Sequence, residues 1–376
     1  MTAAPQIKGW CPGALRPMLS GDGLVVRVRP YGGRLTTGQV AGLATLAATY
    51  GNGMLDLSSR ANIQIRGVSQ ASHAPLIEGL RALSLIDADP NLEGRRNILV
   101  TPFWQSGDEA QVLAAQLVTA LAATDAPALP GKFGFAIDTG VQPVLQTASA
   151  DIRFERDARG GLILVAQGCD LGKSVTPETA VNEAVALAHW FMTVRNTQTR
   201  MAAVLDNHTT LPSGFSVPRQ HQTYTPKPGH TSHGSLVALA FGQMTSNTFA
   251  ALATYGGLRM TPWRMMVVEN TQHTPRIEGI ITDPDDPLLR VIACTGAPGC
   301  IQSQGTTRDI ASVLAPHVTQ GQMLHVSGCA KGCAHPGVAP LTIVPTKSGY
   351  DLIRNGQAGD APEQTNLTPD TLIKAI

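Results

Sequence analysis

The chain has 376 residues, a formal net charge of +1 at pH 7, and 43% hydrophobic and 15% charged residues. This length suggests about two or three domains, and the balanced charge gives no global field that would attract nucleic acid or a membrane. Residues 1–10 contain no apolar run, so we expect no signal peptide and a cytoplasmic protein. Residues 228–258 lack charged side chains, but polar residues interrupt them throughout and no membrane span is predicted.

The first predicted unit is a strand, a helix and a second strand. Residues 24–29 alternate as a half-buried strand does, with both arginines on one face. Thr36 or Thr37 can cap the following helix, which we expect to end at Gly51. Another strand is predicted near Met54–Leu57.

A third strand in this unit has a regular polar face. Ile63 and Ile65 would point into the core at the two-residue period of a strand. The opposite face would carry four polar side chains: Arg60, Asn62, Gln64 and Arg66. A polar face this regular is not expected of a strand whose outer side is only solvated.

The same unit recurs later in the chain. The tetrapeptide Ala-Thr-Tyr-Gly occurs at 48–51, at the end of the first helix, and again at 253–256. Predicted strands at 235–240 and 264–269 flank the second copy as their counterparts flank the first. A repeat this long predicts two half-domains that pack as a pseudo-dimer.

The rest of the chain mixes helices and strands irregularly. Between the repeats we expect helices at 108–123 and 178–195 and strands at 132–138, 151–154 and Leu162–Ala166. A linker rich in proline and histidine is expected at 212–233. The final third predicts a helix near Arg308–Leu314, strands near Leu324 and 341–344, and a polar tail. This irregular alternation indicates an α+β protein.

Four of the six cysteines lie in two glycine-rich loops, at Cys294, Cys300, Cys329 and Cys333. Four thiolates in two pairs form the ligand set of a [4Fe–4S] cluster, and the loop glycines would let the backbone close tightly round it. Structural zinc also takes four cysteines, but its pairs are usually about two to four residues apart. Two disulfides would need an oxidising compartment, which nothing else here indicates.

The pattern Cys-x5-Cys followed by Ser-Gly-Cys-x3-Cys resembles the cluster signature of the sulfite and nitrite reductase family. That resemblance runs from about residue 8 to about residue 345 and implies that Cys333 bridges the cluster to a haem iron. Within the family, the chain resembles the oxygen-using enzymes of aerobic cobalamin synthesis. The phrases that carry this narrower resemblance are Trp-Cys-Pro-Gly at 10–13, Gly-Asp-Gly-Leu at 21–24, Thr-Pro-Trp-Arg at 261–264 and Cys-Ala-Lys-Gly-Cys-Ala-His-Pro at 329–336.

The resemblance implies a sulfite/nitrite-reductase-like α+β fold, with two ferredoxin-like half-domains related by the internal repeat and further mixed α/β domains. We expect a ligand cleft where the half-domains meet. The implied division is a first half-domain at 1–72, a reductase-like α/β domain at 73–220, a second half-domain at 221–275 and a cluster domain at 276–376.

The resemblance also implies which residues bind a tetrapyrrole. Alone, each cation would be read as a surface charge. Together they match the motifs with which the reductases hold sirohaem carboxylates and a bound anion, and guanidinium groups suit carboxylates. The implied contacts are Arg60, Asn62, Gln64, Arg66, Arg96 and Lys132. One position departs from the family, because Gly134 stands where a second lysine is expected.

Other residues give weaker signals. The candidate iron ligands are His230, His233 and His335. The first two also suit a solvated linker, and His335 could interact with the cluster ligands without binding iron itself. Residues 168–174 approximate a phosphate loop but lack its first glycine. Cys11 and Cys169 are expected to be buried thiols.

The resemblance implies a monooxygenase that hydroxylates a tetrapyrrole substrate and forms a lactone. It would use dioxygen and electrons derived from NADH, through an electron-donor protein or a NADH-linked reductase. The [4Fe–4S] cluster would pass those electrons onward, and a mononuclear non-haem iron is also compatible. One alternative is a sirohaem-dependent sulfite or nitrite reductase. Another is a non-catalytic iron–sulfur electron carrier, which would not need the duplicated unit.

Overall fold

A computed structural model describes residues 11–207 and 209–376. The expectation about a signal peptide, the first residue of the phrase at 10–13 and the start of the predicted first half-domain lie outside the described residues. The predicted domain boundaries stay predictions.

The first repeat forms an antiparallel sheet with helices on its inner face. Thr36 caps the long helix, with its side chain accepting a hydrogen bond from Gln39 N while the Gln39 side chain bonds back to it, as predicted. Gly51 ends that helix. The elements are β1 (Met18–Ser20), β2 (Gly23–Val28), β3 (Arg34–Leu35), α1 (Thr37–Tyr50), β4 (Met54–Leu57), β5 (Ile63–Val68) and α2 (Gln70–Ala82).

The middle region forms a six-stranded mixed sheet covered by two long helices. Its strand order is β11-β10-β9-β8-β7-β6, and α4 and α5 bury leucine, alanine and phenylalanine side chains against it. The elements are α3 (Pro90–Arg95), β6 (Ile98–Val100), α4 (Glu109–Ala122), β7 (Phe135–Ile137), β8 (Ile152–Arg156), β9 (Leu162–Ala166), β10 (Leu171–Ser174), α5 (Pro177–Val194), α6 (Met201–Leu205) and β11 (Phe215–Pro218).

The second repeat follows the same order. Its elements are β12 (Gly229–Thr231), β13 (Gly234–Ala238), β14 (Gln243–Thr245), α7 (Ser246–Leu252), β15 (Leu258–Met260) and β16 (Met265–Glu269). The expected linker at 212–233 is therefore wrong in part, because β11 and β12 are edge strands within it. The expected match between the helices also fails in length, because α7 ends before the second Ala-Thr-Tyr-Gly, which forms a turn.

The final region is a five-stranded sheet in the order β17-β18-β19-β20-β21. The predicted polar tail is wrong, because β20 and β21 extend the sheet and Leu372 of the last helix is fully buried against it. The elements are β17 (Val291–Ala293), α8 (Arg308–Leu314), β18 (Leu324–Val326), β19 (Ala339–Thr346), β20 (Gly349–Gly356), β21 (Gln364–Leu367) and α9 (Pro369–Ala375).

The two repeats exchange one strand each. The first sheet has the order β1-β2-β5-β4-β14, and the second has the order β12-β13-β16-β15-β3. Each sheet therefore ends in a strand from the other repeat, α1 packs on α7, and both inner faces contribute to one hydrophobic core. The shared topology confirms the predicted internal repeat. Among the described residues, no helix is both long and apolar enough to cross a membrane.

Candidate functional site

The cysteine loops leave the same edge of the final sheet. Strands β17 and β18 are parallel neighbours, so their carboxyl ends lie side by side. Cys294 directly follows β17, and its backbone N–H donates to the carbonyl of Val326, 2.9 Å away, at the end of β18. Cys329 follows that strand three residues later. The sheet thus brings together two loops whose nearest cysteines, Cys300 and Cys329, are 29 positions apart in the chain.

The four cysteines carry free thiols that share one region. The Cys294 sulfur lies 3.6 Å from Ser327 Oγ. Desolvation raises the pKa of Cys333, and nearby thiols raise it further: Cys294 is the strongest of them, followed by Cys329 and Cys300. Lys331 opposes that shift.

Two glycines keep these loops tight. Gly296 has φ of 73°, and a Cβ there would lie 2.5 Å from Thr307 Oγ1. A Cβ on Gly328 would lie 2.5 Å from Ser303 Oγ. Side chains at either position would push the loops apart, which agrees with the predicted role of the loop glycines.

Buried donors without partners lie close to the cysteine loops. Within the described residues, neither ring nitrogen of His325 on β18 has a hydrogen-bond partner, nor does Nε of Arg308. Burial lowers the pKa of His325 to about 4, and its Cε1 would be 3.7 Å from a Cβ on Gly332. An unsatisfied buried donor costs about 1–3 kcal/mol, so these groups fit an acceptor-rich, negatively charged cluster.

The chemistry of the cysteine loops fits an iron–sulfur cluster. Four thiols from two glycine-rich loops are the ligand set of a [4Fe–4S] cluster, which Cys294, Cys300, Cys329 and Cys333 would hold. The pair spacing, with five and then three intervening residues, is less typical of structural zinc.

A polar row crosses the outer face of the first sheet. Strand register places Arg27, Gln64, Asp56 and Gln243 side by side on β2, β5, β4 and β14. Arg27 Nη2 donates to Gln64 Oε1 at 2.7 Å, and Gln243 Nε2 donates to Asp56 Oδ1 at 3.0 Å. The row therefore includes Gln64, a predicted contact, and three residues that were not assigned to the site.

Arg66 joins this face to the cysteine loop. Its guanidinium makes two hydrogen bonds to Asp22, at 3.0 and 2.7 Å, and a third to the Gly299 carbonyl at 2.9 Å. The same carbonyl accepts hydrogen bonds from Gly21 N and Ser20 Oγ. The polar face and the loop between Cys294 and Cys300 are therefore held in contact.

Arg60 lies in the turn before β5 rather than in the strand. Its Nη2 donates to the Lys132 carbonyl at 2.8 Å and to Ser149 Oγ at 3.2 Å. Asn62 is buried beside this turn. The structure thus brings Arg60 against the backbone of Lys132, although no strand periodicity places it there.

Arg96 is committed to a carboxylate of the protein itself. It makes two hydrogen bonds of 2.8 Å to Asp87, and its guanidinium lies 3.9 Å from the centre of the Tyr31 ring. Both charged residues are buried. In this arrangement Arg96 stabilises the domain that lies beside the polar face.

Two cations near the polar face lack a carboxylate. Among the described residues, neither Arg27 nor Arg60 has an acidic side chain within ion-pair distance. Burial, together with repulsion from Arg29 and Arg60, lowers the pKa of Arg27 to about 10, although Cys11 opposes the shift. Such a site favours an anionic ligand.

The second sheet lacks an equivalent polar row. The corresponding register places Leu236, Val267, Arg259 and Arg34 on β13, β16, β15 and β3. Leu236 and Val267 pack in an apolar cluster with Ile281, while both arginines pair with Glu269. The two half-domains share a topology, but among the described residues the polar row belongs to the first sheet.

The candidate histidines do not come together. His230 is exposed on β12, and the His233 ring lies 5.7 Å from that of Phe103. His335 Nε2 lies 3.2 Å from the Val338 carbonyl, and its ring is 5.6 Å from that of His325. The near-match to a phosphate loop leads into strand β10 and not into a helix.

These features together define a sulfite/nitrite-reductase-like fold that contains a ferredoxin-like half-domain. Residues 16–83 match the nitrite/sulfite reductase ferredoxin-like half domain. The structure of the Mycobacterium tuberculosis NirA protein is similar, with a TM-score of 0.61 and 16% identity, and the match covers 93% of this chain and 79% of that one. The expected fold class is confirmed.

Two relatives of known activity are similar over most of the chain. The chain is 28% identical to a precorrin-3B synthase of Sinorhizobium sp, over 96% of this chain and 86% of the relative. It is 22% identical to a ferredoxin–nitrite reductase of Leptolyngbya laminosa, over 94% of this chain and 84% of that protein. The resemblance predicted from the cysteine motif and the flanking phrases is confirmed.

Proposed function

We propose that this protein is an oxygen-dependent monooxygenase that converts precorrin-3A to precorrin-3B in aerobic cobalamin biosynthesis. One atom of dioxygen would enter the macrocycle, with ring hydroxylation and lactone formation. The other atom would leave as water, with two electrons supplied by NADH through a reductase or another electron-donor protein. We propose that this takes place in the cytoplasm.

The packing at Gly134 carries this proposal. A Cβ at Gly134 would lie 2.7 Å from Asn97 Nδ2 and 3.1 Å from Arg60 Nη1. A lysine cannot fit there without displacing both side chains, so the cation expected for reduction of a small anion is absent from this position. A small anion needs positive charge at its reacting centre, whereas a carboxylate-rich macrocycle needs it round the rim.

The polar face would bind and orient the macrocycle. Arg27 and Arg60 would pair with its carboxylates, with Asn62, Gln64 and Lys132 adding hydrogen bonds. Arg66 and Arg96 already hold Asp22 and Asp87. In this proposal those two arginines keep the polar face and the cysteine loop in position and do not pair with the substrate.

The four cysteines would hold a [4Fe–4S] cluster, which supplies one-electron transfer when bound. Gly299 belongs to the same loop as Cys294 and Cys300 and contacts Arg66 directly. Through this contact the cluster loop would lie against the proposed substrate face. The buried neutral ring of His325 would support the loop that carries Cys333.

The test offers anaerobically purified protein precorrin-3A, a NADH-linked reductant and 18O-labelled dioxygen, and separately sulfite and nitrite. We expect label in the tetrapyrrole and no rapid turnover of either anion. Rapid sulfite or nitrite reduction without labelled tetrapyrrole would overturn the proposal in favour of the sirohaem reductase.

The Arg60→Ala variant tests the binding face. It should weaken tetrapyrrole binding by about 2 kcal/mol or more if the pair with a carboxylate is desolvated. Arg159→Ala serves as the matched control, because Arg159 is exposed in the turn between β8 and β9. Equal affinities for both variants would remove Arg60 from the proposed site.

A further inference from the structure

A cavity lies where both half-domains meet the cluster domain. Its volume is about 270 Å³. Ser59 lines it from the turn before β5, Trp263 and Arg264 from the turn before β16, and Ala334 from the loop just after Cys333. Leu239 and Leu288 are among its apolar walls. It is smaller than the pockets of about 300–1,000 Å³ that take whole drug-sized ligands, so it suits one arm of a larger molecule.

The polar groups at this cavity lack partners that would explain them. Within the described residues, the buried indole Nε1 of Trp263 has no hydrogen-bond partner, and no carboxylate lies within ion-pair distance of Arg264. The Arg264 guanidinium donates from Nη2 to the Ala334 carbonyl, 3.3 Å away. Burial, together with repulsion from Arg308, lowers the pKa of Arg264 to about 10. A donor pair of this kind fits a carboxylate.

The backbone at Arg264 is also unusual. Its φ is 60°, a left-handed conformation that is uncommon for a residue other than glycine. The matching turn before β5 contains Ala61 with φ of 53°, next to Arg60. The two turns occupy corresponding positions in the two repeats, and each presents an arginine near the junction of the half-domains. Left-handed backbone of this kind costs about 1–3 kcal/mol and is often found at ligand sites.

We propose that Arg264 and the Trp263 indole form a subsite for one carboxylate arm of the tetrapyrrole, so that the two half-domains grip the macrocycle from both sides. This inference rests on the proposed function, since it takes the ligand of that site to be a polycarboxylate tetrapyrrole. Arg60 of the first half-domain would bind one carboxylate, and Arg264 of the second half-domain would bind another. The substrate class is therefore a macrocycle with carboxylates on opposite edges.

Anaerobic equilibrium titration with sirohydrochlorin, an iron-free polycarboxylate tetrapyrrole, tests the subsite. We compare the wild type with Arg264→Gln, Arg264→Lys and Trp263→Phe, and use the exposed Arg276→Gln as the matched control. Arg264→Gln should weaken binding by roughly 30-fold or more, and Arg264→Lys should weaken it less because it keeps the charge. Trp263→Phe should cost roughly 3- to 10-fold through the lost N–H donor. Arg276→Gln should bind as the wild type does.

Iron and sulfide content and the reduction potential of the cluster are measured on the same samples. If Arg264→Gln shifts the potential or loses iron while its tetrapyrrole affinity is unchanged, Arg264 acts on the cluster and the inference is overturned. Unchanged affinity with an unchanged cluster also overturns it. If the wild type itself does not bind sirohydrochlorin, the tetrapyrrole function fails and the subsite fails with it. If the wild type binds sirohydrochlorin and Arg264→Gln binds it equally well, the subsite is overturned but the proposed tetrapyrrole function is not.

Discussion

Each of the four loop cysteines should be needed for the cluster, because losing one thiolate leaves an iron without its ligand. We expect Cys294→Ser, and the same change at the other three positions, to lower iron and sulfide content sharply in protein purified without oxygen. Cys169→Ser is the control, since this half-buried thiol lies in another domain. Full iron and sulfide content in all four single variants would contradict the assignment.

Asp138 should make stability depend on pH. Burial raises the pKa of this carboxyl to about 6, although the N–H groups of Val144 and Leu145 each bond to it at 2.7 Å. The folded protein holds this proton more tightly than the unfolded chain, so its stabilising effect is complete below about pH 4 and lost as pH rises through about 6.

The Asp138→Asn variant isolates this effect. Between about pH 4 and pH 7, the wild type should lose about 2–3 kcal/mol of unfolding free energy relative to the variant. Urea unfolding at several pH values measures it. The informative quantity is how the difference in unfolding free energy changes with pH. Its absolute value also includes the cost of burying the amide that Asp138→Asn introduces. A difference that stays flat across this range would contradict the raised pKa.

At the scale of elements, the short strand β3 is anchored to the second sheet by charge. Arg34 on β3 makes three hydrogen bonds to Glu269 of β16, and the buried Arg259 of β15 makes another at 2.7 Å. Glu269→Gln would leave Arg259 buried without its counter-ion and should cost about 3 kcal/mol or more. The exposed pair of Glu78 and Arg81 gives the control, because Glu78→Gln should cost less than about 1 kcal/mol. Equal losses in thermal or urea unfolding would show that the buried pair does not anchor β3.

The elements with strong local signals could be predicted from the sequence. The Thr36 cap, the Gly51 stop and the alternation of Ile63 and Ile65 are properties of adjacent residues, and all three are confirmed. Strands β3 and β14 have only two and three residues, too few for a periodic signal, so their exchange was not predicted.

The same limit applies to the site. The cysteine pairs are visible because a cluster needs a fixed residue type at short spacing. The row from Arg27 to Gln243 depends on the register of four strands, one of them from the other repeat, and register is not local information. The ion pairs of Arg66 with Asp22 and of Arg96 with Asp87 likewise join separate segments. A motif gives the identity of these arginines but not their partners.

At the scale of the whole molecule, loss of the cluster should destabilise the β1–β2 turn of the first half-domain. The Gly299 carbonyl accepts hydrogen bonds from Ser20, Gly21 and Arg66, so disorder in the cysteine loop would release the β1–β2 turn. Removing the cluster with a chelator should raise amide hydrogen exchange at 19–22 as well as at 294–300. Strands β8 and β9 should stay protected and serve as the internal control. Increased exchange confined to the cysteine loops would show that this contact does not couple the two regions.

The exchanged strands also determine how the molecule would respond to being cut. Because β3 pairs with β15 and β14 with β4, a chain severed between residues 225 and 226 yields two fragments that each lack a sheet edge. Those edges would expose unpaired backbone N–H and C=O groups, so each fragment alone should aggregate or stay partly unfolded. Mixed, the fragments should form a one-to-one complex whose melting temperature rises with protein concentration, as mass action requires. The intact chain behaves as such a dimer held at permanently high local concentration by one peptide connection.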